Sequence, residues 1–180
     1  MSKLVLPLVA LAGFVGVATV EAQIATPSTP DVEFARKAAS GGHAEVELGR
    51  MALGKSTNVE VRQFAQRMVK DHTRANLELS ELAQSQHLLL PRVAEGEDAA
   101  NIKRLGGLSG SAFDRAYMDL MVEDHQHDVA DFGKEADQGQ NAQIKTLART
   151  LLPTLQEHLQ LAQQVQRGPG EEKAQLPSER

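Results

Sequence analysis

Apolar residues recur at steps of three and four in four long stretches of the chain, which is the pattern of helices with one buried face. In the first stretch, one polar residue, Glu45, interrupts the inward positions. The remaining inward positions are Phe34, Ala38, Gly41, Leu48 and Ala52. We expect Asp31 to cap this first helix, because its side chain can accept hydrogen bonds from free backbone N–H groups.

The second stretch follows residues 57–60, whose sequence TNVE fits a capping box. Its inward positions are again apolar, and His72 interrupts them. The apolar members are Val61, Ala65, Met68, Ala75, Leu79 and Leu82. Leu90 precedes a proline and is pushed away from helical geometry, so we expect the second helix to end at Leu90 and Pro91 or shortly after them.

The third and fourth stretches have one polar interruption each, His125 and His158. Ser109 or Ser111 is expected to cap the third helix, and a tight connection at residues 138–141 leads to the fourth. The apolar members are Met118, Met121, Val129, Phe132 and Ala136, then Ile144, Ala148, Leu151, Leu155, Ala162 and Val165.

Residues 91–109 form a long connection between helices 2 and 3, with room for a short helix from Glu97 to Leu105. Long helices bury most of their surface when they lie nearly parallel to one another. The pattern therefore predicts an all-α fold, an antiparallel four-helix bundle over residues 31–167, with a long crossover between helices 2 and 3.

The ends of the chain have a different character from the bundle. Residues 1–22 combine Lys3, a long apolar run and small residues before a cleavage position, which predicts a signal peptide. A retained membrane anchor is the alternative, although the apolar run is short for one. Residues 23–30 are a predicted linker and residues 168–180 a predicted disordered tail. We expect an exported protein, periplasmic or secreted, and the mature chain to lack a stable membrane span.

Composition narrows the function further. The formal net charge is -5 and there is no cysteine. A mildly acidic, evenly mixed surface does not favour nucleic-acid binding, which needs a basic face. No nucleophile arrangement, phosphate loop or cysteine metal motif is present. These features favour a protein without ordinary hydrolase or kinase chemistry, and they leave open whether it is an enzyme at all.

The four polar interruptions are predicted to meet. His72 lies 15 residues after Thr57 and His125 lies 14 after Ser111, so both are roughly 21 to 23 Å along their helices. Glu45 and His158 come within one or two turns of that level. A carboxylate and three imidazoles inside an apolar bundle suit one divalent transition metal, Zn, Fe, Mn or Cu. The alternative is a buried polar network without metal, which would fix the register of the helices.

An acidic residue stands directly before each of the three histidines, at positions 71, 124 and 157. Adjacent helical residues point about 100° apart, so these acids are predicted to contact neighbouring helices or solvent and not the metal. Asp128, one turn after His125, is better placed to share its face.

Five segments carry a resemblance to a known bacterial family. They read GGHAEVELG at 41–49, FAQRMVKDH at 64–72, LSGSAFDRAY at 108–117, MVEDH at 121–125 and LPTLQEHL at 152–159. Their order and spacing resemble the family called domain of unknown function 4142. The resemblance implies an exported, ferritin-like bundle without a demonstrated activity. Members are often labelled outer membrane proteins, so an association with the outer membrane is part of this expectation.

Ferritin-like di-iron proteins place a glutamate three residues before their histidines. Here Val69, Val122 and Leu155 occupy those positions. This departure favours a single-metal site, or none, over a two-metal redox enzyme, which would need Asp71, Asp124 or Asp128 to turn inward.

Three functional hypotheses follow. The first is a non-enzymatic protein of envelope stress or metal handling that binds metal through Glu45, His72, His125 and His158. The second is a metal-free structural module that binds an envelope protein or a second copy of itself through apolar patches at residues 88–90 and 105–108. The third is the two-metal redox enzyme.

Overall fold

The computed structural model describes residues 29–168 of the 180. The predicted signal peptide, most of the predicted linker and all of the predicted tail except Gly168 lie outside the described residues. None of the helices in the described range is long and apolar enough to cross a membrane.

Residues 29–168 form five helices and no strands, so the fold is an all-α helical bundle. Four helices are long and one is short. The short helix, α3, occupies the crossover where the sequence left room for one, and it raises the helix count from the predicted four to five. The helices are α1 Thr29–Lys55, α2 Val59–Ser85, α3 Gly96–Gly106, α4 Gly110–Gln138 and α5 Ala142–Arg167.

The long helices run antiparallel within two pairs, α1 with α2 and α4 with α5, because three residues join the helices of each pair. The crossover returns the chain to the end of the bundle where α1 ends. There, Lys55 Nζ donates to the carbonyl oxygens of Gly106 (2.6 Å) and Leu108 (2.7 Å). Helix α4 therefore starts beside the end of α1 and runs in the direction of α2. In addition to these pairs, α2 packs against α5 and α1 against α4.

The helix ends differ from the predicted ones in three places. Helix α1 begins at Thr29, two residues before its expected cap. Asp31 instead accepts hydrogen bonds from the backbone N–H groups of Gln140 (3.0 Å) and Asn141 (3.2 Å), where α4 turns into α5. The cap of α2 is Asn58, one residue after the start of the predicted capping box, and its side chain accepts from the N–H groups of residues 60 and 61.

Helix α2 ends at Ser85, five residues before Leu90. His87 adopts a left-handed conformation with φ of 55°. The N–H of Leu88 then donates to the carbonyl oxygen of Ala83 at 2.8 Å, which closes a Schellman motif. The helix stops through this local motif, which commonly uses glycine, and the later proline plays no part in it.

Helices α1 and α2 approach each other closely at Gly49. A β-carbon added at this residue would lie 2.8 Å from Cγ2 of Val69 and 3.1 Å from the carbonyl oxygen of Ala65. Only a residue without a side chain fits there. This close approach brings the inward faces of the two helices, including Glu45 and His72, to the same part of the core.

The largest apolar cluster fills the half of the bundle near the end of α1. Its bulkiest fully buried members are Leu48, Met68, Leu105, Phe113, Tyr117 and Met121. We call this region the apolar layer. It borders the level at which the four polar residues of the sequence pattern lie.

Candidate metal centre

Each long helix places one buried polar side chain at the same level of the bundle. These are Glu45 from α1, His72 from α2, His125 from α4 and His158 from α5. The three imidazole ring centroids are 5.2, 5.3 and 5.6 Å apart, nearly an equilateral triangle. We call this group the histidine layer. All four residues that were singled out from the helical periodicity and the rise per residue therefore lie at one level of the bundle.

Each imidazole has one nitrogen held by an oxygen acceptor. His72 Nδ1 lies 2.7 Å from Glu45 Oε2, and His158 Nε2 lies 3.0 Å from Asp71 Oδ2. His125 Nδ1 lies 2.8 Å from the carbonyl oxygen of Met121. Because these oxygens can only accept, each of these nitrogens carries the proton in a neutral ring. The other nitrogen of every ring then has a free lone pair.

The three remaining nitrogens are His72 Nε2, His125 Nε2 and His158 Nδ1, and all three are buried without a hydrogen-bond partner among the described residues. One ring nitrogen from each histidine lies within 4.8 Å of those of the other two. Leaving a buried acceptor unsatisfied costs about 1–3 kcal/mol. Each histidine thus keeps one buried ring nitrogen that could bind a metal, and the three rings are close enough together to hold one ion.

Electrostatics favours the neutral form of two of the imidazoles, His125 and His158, and the charged form of Glu45. Burial, followed by repulsion from His72, lowers the pKa of His158 to about 4. Burial also lowers the pKa of His125. Burial alone would raise the pKa of Glu45, but attraction from the protonated forms of His72 and His125, together with the hydrogen bond from His72, outweighs it and brings the pKa to about 2. Metals bind deprotonated ligands, so these are the protonation states that a metal needs.

The acids that precede the histidines have separate roles. As predicted for these positions, Asp71 makes a helix–helix contact: it bonds His158 on α5 and receives a hydrogen bond from Arg67 at 3.2 Å. Burial raises the pKa of Asp71, and the hydrogen bond from His158 more than offsets this, so the pKa is lowered. Glu157 pairs with Arg67 at the surface. Sequence reasoning did not assign Asp71 to His158, although the repeated dipeptide was a signal for it.

Asp124 and Asp128 lie together on one face of α4, partly buried. They line a groove between α1, α3 and α4 that also contains Asp98 and reaches Glu45. We call it the acidic groove. Burial, followed by repulsion from Glu45, raises the pKa of Asp124 to about 7 and that of Asp128 well above its ordinary value.

A small cavity lies on the side of the histidine layer opposite the apolar layer. Its volume is about 50 Å³, and Glu45, His72 and His158 form part of its wall. The rest of the wall is mostly apolar and includes Phe34 and Leu155. One water molecule needs roughly 10–15 Å³ measured in this way. The imidazoles therefore have space beside them for a small additional ligand.

Solved structures with the same fold come from several proteins. A DUF305 fragment from Deinococcus radiodurans superposes with a TM-score of 0.68 at 17% identity, over 78% of this chain and 97% of that one. A DUF305 protein from Streptomyces coelicolor, named as a secreted protein, gives 0.61 at 21% identity, over 74% and 88%. CopM in its Cu(II)-bound form gives 0.64 at 16% identity, over 76% and 95%. At these identities the likeness concerns the fold alone.

CopM has also been solved in a silver-bound form, with a TM-score of 0.60 at 20% identity over 78% of this chain and 98% of that one. No protein of curated function matches the sequence. The family described as "Domain of unknown function (DUF4142)" matches residues 17–165, which include nearly the whole bundle. The chain belongs to this family.

Proposed function

We propose that this protein binds one transition-metal ion, copper in the first place, through His72 Nε2, His125 Nε2 and His158 Nδ1. The observation that carries the proposal is a cluster of three buried histidines that each offer a ring nitrogen within 4.8 Å of the others. One nitrogen of each ring also lacks any hydrogen-bond partner among the described residues. Imidazole nitrogen suits copper and zinc, and also iron. Glu45 supplies the negative charge beside the ion and orients His72.

The outer contacts support the same assignment. Histidines that bind metals almost always donate their second ring N–H to a carboxylate or a backbone carbonyl, which fixes the tautomer. All three histidines here have such an acceptor. A metal held by nitrogens at 2.0–2.1 Å in tetrahedral geometry needs them about 3.3 Å apart. Small side-chain rotations toward the centre would accompany binding.

The comparisons give the proposal its choice of metal and its location. CopM, which shares the fold, was solved with Cu(II) and with silver, and this favours copper over iron or manganese. The relative named as a secreted protein supports export to the periplasm or outside the cell. We include in the proposal a ferritin-like arrangement of the four long helices, with α3 added in the crossover. The role we infer is metal handling in the cell envelope.

Most of the leucines that were expected to form the binding surface of a metal-free interaction module are buried or partly buried. Leu105 is fully buried and Leu108 packs against the apolar layer. Leu88 and Leu90 are partly buried against α1 and α2, and only Leu89 is strongly exposed. A single exposed leucine is ordinary for a protein surface. No specific observation therefore favours this module over the metal site.

Elemental mass spectrometry of the purified protein, prepared without a histidine tag, tests the proposal. After incubation with copper and desalting, we expect about one copper per chain. His72→Ala and His158→Ala should each lose it, whereas His127→Ala, an exposed histidine on α4, should retain it. Equal copper content in all four proteins would refute the assignment, as would the absence of copper from the wild type.

A further inference from the structure

A groove between α1 and α2 is bordered at one end by residues 88–92, the segment that leads from α2 into the crossover. Its volume is about 490 Å³, within the range of roughly 300–1,000 Å³ that is usual for small-molecule sites. On α1, the lining residues are Ala39, His43, Val46 and Arg50. Their steps of four, three and four place them on one face, so the groove follows this helix for roughly 16 Å. We call it the basic groove.

The wall of the basic groove contains apolar side chains that are exposed to solvent. Leu77 on α2 is 61% exposed and Leu89 in the crossover segment is 87% exposed, and both line the groove. They are two of the four strongly exposed large apolar residues in the range 29–168. An isolated exposed leucine is ordinary, but here Leu79 and Leu88 add to the same wall. The groove therefore presents a continuous apolar strip to a ligand.

All charged or titratable side chains that line the groove are basic. They are His43 and Arg50 on α1 and Arg92 in the crossover segment, and no aspartate or glutamate lines it. The whole chain has a net charge of -5, so this local positive charge is opposite to the overall charge. Neither arginine forms an ion pair or hydrogen bond within residues 29–168, whereas Arg36 and Arg67 are both paired with glutamates. Two guanidinium groups therefore remain available to an anion.

We propose that the basic groove binds a fatty acid, whose carboxylate pairs with Arg50 or Arg92 and whose alkyl chain lies along Leu77 and Leu89. Guanidinium groups bind carboxylates through two parallel hydrogen bonds. Each methylene group that leaves water for an apolar wall raises the affinity by about fourfold. Neighbouring helices are typically about 8–10 Å apart, so a groove between two of them has the width for one alkyl chain. This favours a single-chain acid over a two-chain phospholipid.

Isothermal titration calorimetry with dodecanoate, at concentrations below those at which it forms micelles, tests the proposal on the copper-free protein. We expect one saturable site per chain. Decanoate, which is two methylene groups shorter, should bind at least about tenfold more weakly. Dodecyltrimethylammonium has the same alkyl chain with a positive head group, and it should bind more weakly than dodecanoate by at least about tenfold.

Variants separate the charged and the apolar contributions. Arg50→Gln/Arg92→Gln should raise the dodecanoate dissociation constant by at least about tenfold, because it removes the charge-assisted hydrogen bonds. Arg115→Gln/Arg167→Gln, the same charge change at exposed positions on α4 and α5, should leave it unchanged. Leu77→Gln should weaken binding without changing any charge. Since all of these residues are exposed, the variants should fold, and circular dichroism checks this.

Three titration results would overturn the proposal: no saturable binding of dodecanoate, the same dissociation constant in the two double variants, or equal affinity for dodecyltrimethylammonium. A second copy of the chain is the alternative occupant. Sedimentation would then show a dimer that Leu77→Gln dissociates, and this result would also overturn the proposal. The basic groove contains no residue of the proposed copper site, so His158→Ala should lose copper and bind dodecanoate as tightly as the wild type.

Discussion

The apolar layer and the histidine layer are neighbours on the same four helices, but they differ in how many of their buried side chains are polar and lack hydrogen-bond partners. In the apolar layer, Leu48, Phe113 and Met68 are fully buried, and the hydroxyl of Tyr117 is the exceptional polar group. In the histidine layer, every helix contributes a polar side chain, and each ring has a nitrogen without a partner.

This difference distinguishes the side chains that stabilise the fold from the side chains that we propose bind a metal. Burial of apolar side chains stabilises the bundle with no further molecule present. The unsatisfied nitrogens of the histidine layer lower the stability of the protein, and a bound ion would remove this cost. Such a layer is expected where stability has been given up for a binding site.

The largest expected effect belongs to the apolar layer. Phe113→Ala should lower the free energy of unfolding by about 3–5 kcal/mol, because it removes a buried aromatic ring and leaves a cavity. Phe113 is fully buried and stacks on Tyr117 with ring centroids 5.9 Å apart. Urea denaturation measures the change. Val59→Ala, at a position 65% exposed, is the control, and an equal loss in both variants would contradict the assignment of the core.

The opposite result is expected in the histidine layer. His125→Leu removes a fully buried ring that has an unsatisfied nitrogen, so the copper-free variant should be as stable as the wild type or about 1 kcal/mol more stable. The same variant should lose the stabilisation by copper, about 2.7 kcal/mol at a free concentration of 100 times the dissociation constant. Calorimetric melting with and without copper measures both. A variant that copper stabilises as strongly as the wild type would show that His125 is not a ligand.

A smaller effect is expected at Asp71, whose carboxylate bonds His158. Asp71→Asn weakens the hydrogen bond that orients the ring, and loss of such a contact typically costs 10–100-fold in metal affinity, about 1.4–2.7 kcal/mol. Competition with a copper chelator measures the affinity. Glu157→Gln is the matched control, because Glu157 shares the Arg67 contact and bonds no histidine. Similar affinities in the two variants would remove Asp71 from the site.

The smallest effect concerns a buried carboxyl group far from the histidines. Burial, followed by repulsion from Asp31, raises the pKa of Glu135 to about 7. Because this folded-state pKa exceeds the unfolded one, the contribution of Glu135 to stability is fully present below about pH 4.5 and is lost as the pH rises through 7. Glu135→Gln should remove this loss, on the order of 1 kcal/mol. Parallel pH profiles of unfolding for variant and wild type would contradict it.

The sequence was sufficient for features that depend on periodicity. The helical steps and the rise per residue predicted that Glu45, His72, His125 and His158 share a level, and the gap between helices 2 and 3 left room for α3. The end of α2 could not be predicted in the same way, because it depends on His87 adopting a conformation that histidine rarely takes. The start of α1 at Thr29 was also missed, since Asp31 serves a distant turn.

Helical periodicity does not predict the directions in which side chains point. Neither the contact between His72 and Glu45 Oε2 nor that between His158 and Asp71 follows from spacing, because each depends on rotamers and on how two helices are rotated about their axes. The acidic groove could not be predicted from spacing either. Its residues come from α1, α3 and α4, and the crossover that brings Asp98 there has no periodic signal.

X-ray absorption spectroscopy of the copper-loaded protein tests the central claim most directly, because scattering from imidazole rings identifies histidine ligands. The structure predicts a first shell of nitrogen at about 2.0 Å with the outer-shell scattering of three imidazoles. The copper-treated His158→Ala variant should give no such signal, because it is expected to lose the metal. A first shell of sulfur, or of oxygen and nitrogen without imidazole scattering, would contradict the claim that His72, His125 and His158 hold the metal.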